Sequence, residues 1–586
     1  MIKRILREPL FYLLPLLAAM YLITIPARME FSDAKITRNG NMENIEFPYL
    51  TNMEENEIFI ISFNLSLKNK FAKFNVTPDD CIQEILINGE KFPLDGIRGL
   101  CDYSKGVYLD FSKYVQKGLN HFELRMKNHG GPAGLRVEPA SYNGFKSLSL
   151  IHYIFTLILL LSAAFILRKF KFKLIAIFII LLGIAVRLVA YSYMGPMQNP
   201  FDVAAHLEYA HIISEEKRLP KSDECWSCFQ PPSYYIASAA LKKVASFYTP
   251  DLADRILQQG QLLLSFASII FGVAFIINLF GNCRFAYLAA LVPVLWPGFV
   301  FAAPRIGNDI PFYFGTLFCM LFAQRYWNWN RNSDMLLASI GAALSLAAKS
   351  TGLVVLSAWV IVYIVSALRF LKIGSLRALF ASVFIIALFT VFSNYRTIVS
   401  IFEEGKMELI GNISGLNGGL KVQNTAGNYL YFDMRDYLLV PNTNAWNDLG
   451  GRQYFWNYAL KSSLSLQPET PLLTSEAGRI IATALSVFAL LIFVLALWGI
   501  IHANIKEFPS LLFTVFLFIA AIYLRISYPY ASSNEFRYIF PVLFPIVYFS
   551  IRGVQILENS RLRKLSYISM LSFAGLSILF IAWQGV

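Results

Sequence analysis

One polar stretch stands out between long apolar segments: Phe201 to Tyr235, FDVAAHLEYAHIISEEKRLPKSDECWSCFQPPSYY. Asp202, His206, Glu208, His211, Glu215 and Glu216 crowd its first half, and carboxylates and imidazoles are the groups that carry protons in acid–base chemistry. This half reads as a short helix with Asp202 and His206 one turn apart, hence on one face. Asp202 precedes an apolar run, so a helix N-cap is its plainer role; for His206 the plainer role is packing. The second half closes on Gln230-Pro231-Pro232 and two tyrosines, an extended segment running into an aromatic belt at a membrane interface. Between the halves lies Cys225-Trp226-Ser227-Cys228. A CxxC can be a disulfide, half a zinc site or a redox pair. With no second CxxC and no thioredoxin-like βαβ setting, the disulfide is favoured. Cys81 with Cys101 is the other expected bridge, in an oxidising compartment, while Cys283 and Cys319 belong to the helical region and are expected to be inert.

A frame must hold this stretch, and composition says which kind. Of 586 residues 56% are hydrophobic and 15% charged, with mean hydropathy +0.51, whereas a soluble globule carries about a quarter charged residues. The chain therefore reads as a polytopic α-helical membrane protein with some soluble mass. Its net charge of +13 lies in short basic clusters at the ends of apolar segments, where the positive-inside rule puts them. Membrane lipids are the partners this implies; nucleic acid is not.

In chain order, residues 1–27 read as a transmembrane anchor, basic at Lys3, Arg4 and Arg7, apolar over Leu10 to Ile25 and without a convincing cleavage site. Residues 28–147 alternate in runs such as EIFIISFNLSL and NHFELRMKN, the pattern of an extracytoplasmic antiparallel β-sandwich. Residues 148–393 form a membrane core with a first external loop at 194–250, residues 394–476 a second external segment, and residues 477–586 the last transmembrane helices. About thirteen spans are expected: 10–25, 148–167, 174–193, 256–280, 285–303, 310–326, 333–349, 351–368, 376–394, 477–500, 509–524, 539–551 and 565–583. Pro231 to Tyr248 is expected to be an interfacial helix.

This register sets Asp202, Arg305, Asp309, Lys349, Arg396, Glu535 and Arg537 at external helix ends. Ionisable residues near membrane depth line cavities or pathways; for Arg305 and Lys349 the alternative is a side chain snorkelling to the interface. Glu535 and Arg537 are close enough to pair. No Walker A, GxSxG or HExxH motif occurs, so nucleotide-driven and hydrolytic readings have no support.

Two resemblances follow from these residues. DCIQEILINGE (Asp80 to Glu90), VYLDFSKYVQKGLNHF (Val107 to Phe122) and NHGGPAGLRV (Asn128 to Val137) resemble the galactose-binding-like jelly rolls that accompany glycoside hydrolases. This implies a module that binds sugar or packs. FDVAAHLEYA, the Leu219 to Tyr235 run, Gly307-Asn308-Asp309, AKSTGL (Ala348 to Leu353) and NEFRYIFP (Asn534 to Pro541), in this order and topology, resemble the type C (GT-C) glycosyltransferases. The branch is that of the protein O-mannosyltransferases and aminoarabinose transferases.

The resemblance implies transfer of a monosaccharide from a polyprenyl-phosphate-linked donor to a lipid-linked glycan, lipopolysaccharide or other envelope acceptor, at the periplasmic face of a bacterial inner membrane. Such transfer needs a base for the acceptor hydroxyl and positive charge for the leaving phosphate. Asp202 matches the family's first-loop acid and is the expected base, with His206 and Asp309 beside it. Lys349, Arg305, Arg537 and Arg396 are expected at the donor phosphate. Gln230, Tyr234, Glu535, Trp446 and Arg452 are expected at the acceptor, the last two from an aromatic run (Trp446 to Tyr458) that also suits a loop packed on the membrane. No metal or other cofactor is expected, because Val203 follows Asp202 where the metal-using branch carries acidic pairs. The alternatives are a protein O-glycosyltransferase and, from another class, a transporter or flippase of lipid-linked saccharides, which lacks the support of an internal repeat.

Overall fold

The computed structural model describes residues 31–45, 49–67, 72–79, 81–97, 99–101, 107–129, 132–139, 173–194, 202–248, 253–370, 376–394, 418–441, 450–465 and 476–583. The chain divides into two compact units, one carrying the strands and the other carrying the polar stretch and most of the helices.

The strands are β1 (Phe31–Arg38), β2 (Asn41–Asn44), β3 (Tyr49–Asn52), β4 (Ile58–Leu67), β5 (Lys73–Asp79), β6 (Cys81–Ile87), β7 (Glu90–Lys91), β8 (Val107–Asp110), β9 (Gly118–Lys127) and β10 (Pro132–Pro139). They form two open antiparallel sheets, ordered β2-β1-β4-β9-β6-β7 and β3-β10-β5-β8. Alternation decides the faces: Phe59, Ile61, Phe63 and Leu65 of β4 and Phe122, Leu124 and Met126 of β9 point into a core shared with Phe74, Val107 and Leu135 of the second sheet. Asn39-Gly40 and Asn88-Gly89 both take positive φ, the requirement of the two-residue type I′ turns that join β1 to β2 and β6 to β7. The Cys81–Cys101 disulfide is present. The expected sandwich is thus observed, with its edges open.

The helical unit begins with α1 (Leu174–Tyr193), α2 (Val203–Glu216), α3 (Ser233–Tyr248) and α4 (Ala253–Phe280). There follow α5 (Arg284–Val294), α6 (Pro297–Ala302), α7 (Asp309–Trp329), α8 (Asn332–Ala348), α9 (Gly352–Phe370) and α10 (Leu376–Ser393). Short helices α11 (Ala426–Leu430) and α12 (Met434–Leu439) precede α13 (Phe455–Ser465), α14 (Glu476–Ile501), α15 (Phe508–Ser527), α16 (Leu543–Ile556) and α17 (Ser560–Trp583).

Among the described residues eight helical stretches are long and apolar enough to cross a membrane, not thirteen. The expected spans 10–25 and 148–167 lie outside the described residues. Three others fall short. The span expected at 285–303 is broken: α5 contains Pro293, and Pro297 opens α6 after an extended Trp296. Arg187, fully buried on α1, serves the break, its Nη1 donating to the Val294 carbonyl at 2.9 Å and its Nε to Ser265 Oγ at 3.0 Å. Inside apolar surroundings a carbonyl freed from its helix needs such a donor. Helix α8 is apolar but, at 17 residues, short, while α7 is long enough but carries buried polar residues such as Thr316 and Gln324. Close approach also joins α14 to α16, where a Cβ on Gly499 would lie 1.9 Å from the Phe549 carbonyl oxygen.

Before α16 the chain runs as a 3-10 turn, Phe536–Val542, kinked at Ile539 and containing Pro541. This irregular stretch carries Arg537, with Glu535 just ahead of it.

Candidate active site

Asp202 stands at the entry to α2 in the left-handed region, φ 56°, and its side chain makes no capping hydrogen bond. Asp is among the few residues that tolerate that conformation, so the N-cap role is replaced by another. Oδ1 accepts from Trp226 Nε1 at 3.0 Å and Oδ2 from Arg537 Nη2 at 3.1 Å. Arg305 Nη2 lies 4.0 Å from Oδ2.

Asp309 opens α7 and Lys349 follows α8. Lys349 Nζ donates to Asp309 Oδ1, and Arg537 Nη1 lies 3.8 Å from Asp309 Oδ2. Arg537 Nε pairs with Glu535. Six of the seven ionisable residues expected at helix ends are thereby drawn into one cluster of three carboxylates and three cations. Arg396 lies outside the described residues, as does Trp446. Lys349 does not snorkel; it is buried and paired. Within the cluster Arg305, Asp309, Lys349, Glu535 and Arg537 are buried, while the Asp202 side chain keeps 31% of its surface exposed. It is the most exposed of the three carboxylates.

Burial pushes the Asp202 carboxyl up, but Arg537 and Arg305 outweigh it and hold the group below the usual carboxylate range. Burial pushes the His206 imidazole down to about 4, against the pull of Asp202, so His206 is neutral near pH 7. Its Nδ1 bonds the Tyr235 hydroxyl at 2.8 Å, and a Cβ on Gly307 would come within 3.1 Å of its Nε2. His206 therefore fastens α2 to the Gly307-Asn308 turn and to Tyr235, which stacks on Tyr209 at 3.8 Å between ring centroids.

Gln230 accepts from Asn308 Nδ2 at 3.1 Å, tying the proline run to the same turn. The buried Tyr234 hydroxyl accepts from Gln261 Nε2 at 2.9 Å. Arg452 is buried, its carbonyl accepting from Asn534 Nδ2 at 3.0 Å just before Glu535. The Cys225–Cys228 disulfide is present. Three neighbours escaped sequence reading: Trp226, Asn308 and Tyr538. Lys349 Nζ lies 4.4 Å from the centre of the Tyr538 ring, and the Tyr538 hydroxyl accepts from Arg537 Nη2 at 3.3 Å. The available signals were adjacency to the cysteines, to Asp309 and to Arg537. Among the described residues no group of three or more His, Cys, Asp or Glu side chains could hold a metal ion.

No family model matches the chain, and no curated protein sequence matches it. Solved structures similar to the chain include three named as transferases of sugars. They include the Archaeoglobus fulgidus oligosaccharyltransferase in the apo form (12% identity, 70% of this chain and 56% of that one, TM-score 0.38). ArnT from Cupriavidus metallidurans bound to undecaprenyl phosphate gives 15% identity, 69% and 76% coverage and TM-score 0.39. The arabinosyltransferase EmbB from Mycobacterium smegmatis gives 12% identity, 94% and 53% coverage and TM-score 0.42. The chain thus spans about half the length of the first and the last.

Proposed function

We propose that this protein is an integral membrane glycosyltransferase that moves a monosaccharide from a polyprenyl-phosphate donor to the hydroxyl of an envelope glycan or lipid, at the periplasmic face of a bacterial inner membrane. The observation that supports this most is the partly exposed Asp202 carboxylate set against the buried cations Arg537 and Arg305, with Lys349 held in the same cluster. A base beside cations that a phosphate can recruit meets both needs of the reaction.

Asp202 takes the proton of the acceptor hydroxyl as its oxygen bonds to the anomeric carbon. The bond from that carbon to the phosphate oxygen breaks, and its electron pair leaves on the lipid phosphate. Arg305, Arg537 and Lys349 stabilise that charge. The cluster's three cations are balanced by three carboxylates, so a donor phosphate competes with Asp202 for Arg537 and Arg305. Drawing these guanidinium groups away raises the proton affinity of Asp202 while donor is bound. Asp309 and Glu535 keep the buried cations charged and oriented, and His206 positions the helix that carries the base. Gln230, Tyr234 and Arg452 line or support the acceptor side.

The test is release of free polyprenyl phosphate from a panel of polyprenyl-phosphate sugars by purified protein with envelope extract. Wild type turns over a donor; Asp202→Asn, which preserves shape and left-handed backbone, loses about a hundredfold or more, the scale of a removed general base. Turnover by Asp202→Asn at the wild-type rate removes Asp202 from that role.

A further inference from the structure

The indole N–H of Trp226 donates to Asp202 Oδ1 at 3.0 Å, the oxygen opposite the one that meets Arg537. Trp226 stands between the two bridged cysteines. Cys225 and Cys228 are themselves buried, in a small core with Tyr209, Ile212, Tyr234 and Tyr235. The chain on the N-terminal side is clamped as well: Arg218 Nη1 donates to Glu224 Oε2 at 2.7 Å and its Nε to Glu216 Oε2 at 2.7 Å, while the Lys221 amide donates to Glu224 Oε2 at 2.9 Å. On the C-terminal side the Gln230 amide donates to the Ser227 carbonyl at 3.0 Å, and the Gln230 side chain reaches Asn308. A tryptophan fixed at both shoulders loses little freedom in making its hydrogen bond.

We propose that Trp226 is a positioning residue for Asp202 and that the Cys225–Cys228 disulfide acts on the reaction through it. The proposal rests on the reading of Asp202 as the base. With Oδ1 held by the indole, the carboxylate cannot swing to give both oxygens to the cations, and Oδ2 stays at the junction of Arg537, Arg305 and incoming substrate. The disulfide's part is local: it closes a turn of four residues from which the Trp226 side chain reaches the Asp202 carboxylate.

The full chain labelled with 5-fluorotryptophan gives nine fluorine signals by NMR, one per tryptophan, and the signal missing from Trp226→Phe is that of Trp226. This signal titrates with the Asp202 carboxyl in wild type and loses the titration in Asp202→Asn. In Cys225→Ser/Cys228→Ser it moves to the position of a solvent-exposed indole. In the donor-release assay Trp226→Phe lowers kcat about tenfold, the scale of one hydrogen bond to a charged group, with KM for the donor within about twofold. The acid limb of its pH profile moves to higher pH, because a lost donor to the ionised form raises a carboxyl pKa. Removing the cysteines in the Trp226→Phe background causes no further loss. A Trp226 signal indifferent to Asp202→Asn overturns the positioning, and equal losses on removing the cysteines with and without Trp226 overturn the route through it. Failure of the base reading is separate: it shows as turnover by Asp202→Asn, while the fluorine titration still decides the contact.

Discussion

At the scale of single residues the cluster's balance makes its members unequal. Lys349 and Asp309 are buried and paired; removing Lys349 leaves Asp309 with Arg537, at 3.8 Å, at a cost below the about 3–5 kcal/mol of a fully stranded charge. Lys349→Met is therefore expected to lower the unfolding midpoint in a thermal melt. Lys349→Met with Asp309→Asn removes both charges and is expected to recover most of that stability. Donor turnover stays low in both, because a cation at the proposed phosphate site is missing either way. His206 gives a pH signature. Its folded-state pKa is near 4 and its ordinary value 6.5, so the unfolded chain takes up its proton first as pH falls. Its contribution is intact above pH 6.5 and is lost between 6.5 and 4, up to about 3 kcal/mol. Melting temperature measured against pH should flatten over that window in His206→Asn. An unchanged slope would mean that other groups set it. The charged members of this cluster were legible in sequence because ionisable residues at the ends of apolar segments announce themselves. Their partners were not: Asp202 and Arg537 are 335 residues apart, and only the fold decides that they meet.

At the scale of elements, the long apolar helices and the alternating strands could be read, since each writes its own period into the sequence. The break at Leu295–Trp296 could not, because the run stays apolar on both sides and only Pro293 and Pro297 mark it. The paired glycines of α14 and α16 were equally silent. A Cβ on Gly499 would meet the Phe549 carbonyl at 1.9 Å and one on Gly553 the Leu495 carbonyl at 2.2 Å, both backbone atoms that cannot step aside. Gly575 on α17 meets nothing within 4 Å. Gly499→Ala is expected to force the helices apart and cost about 1–3 kcal/mol, as overpacking does. Gly575→Ala is expected to be neutral or to stabilise by up to about 1 kcal/mol through helix propensity. Parallel thermal melts in one detergent check the contrast; equal effects at the two sites would show that the tight crossing is not what holds α14 to α16.

At the scale of the whole molecule, the division into two units sets how the protein should come apart. The sandwich has its own core, its own antiparallel pairings and its own disulfide, whereas the proposed catalytic charges, Trp226 and its disulfide all belong to the helical unit. Cys81 and Cys101 are 20 residues apart, and a crosslink over such a loop stabilises by about 3 kcal/mol, chiefly by restricting the unfolded chain. Cys81→Ser with Cys101→Ser should therefore lower the unfolding temperature of the sandwich alone. By calorimetry the wild-type chain is expected to show two transitions, of which the double variant moves one to lower temperature and leaves the other in place. Below the shifted transition, donor release should match wild type, since no residue of the charge cluster is touched. A single transition that moves as a whole, or a loss of turnover under conditions where both units remain folded, would show instead that sandwich and helices fold and act as one body.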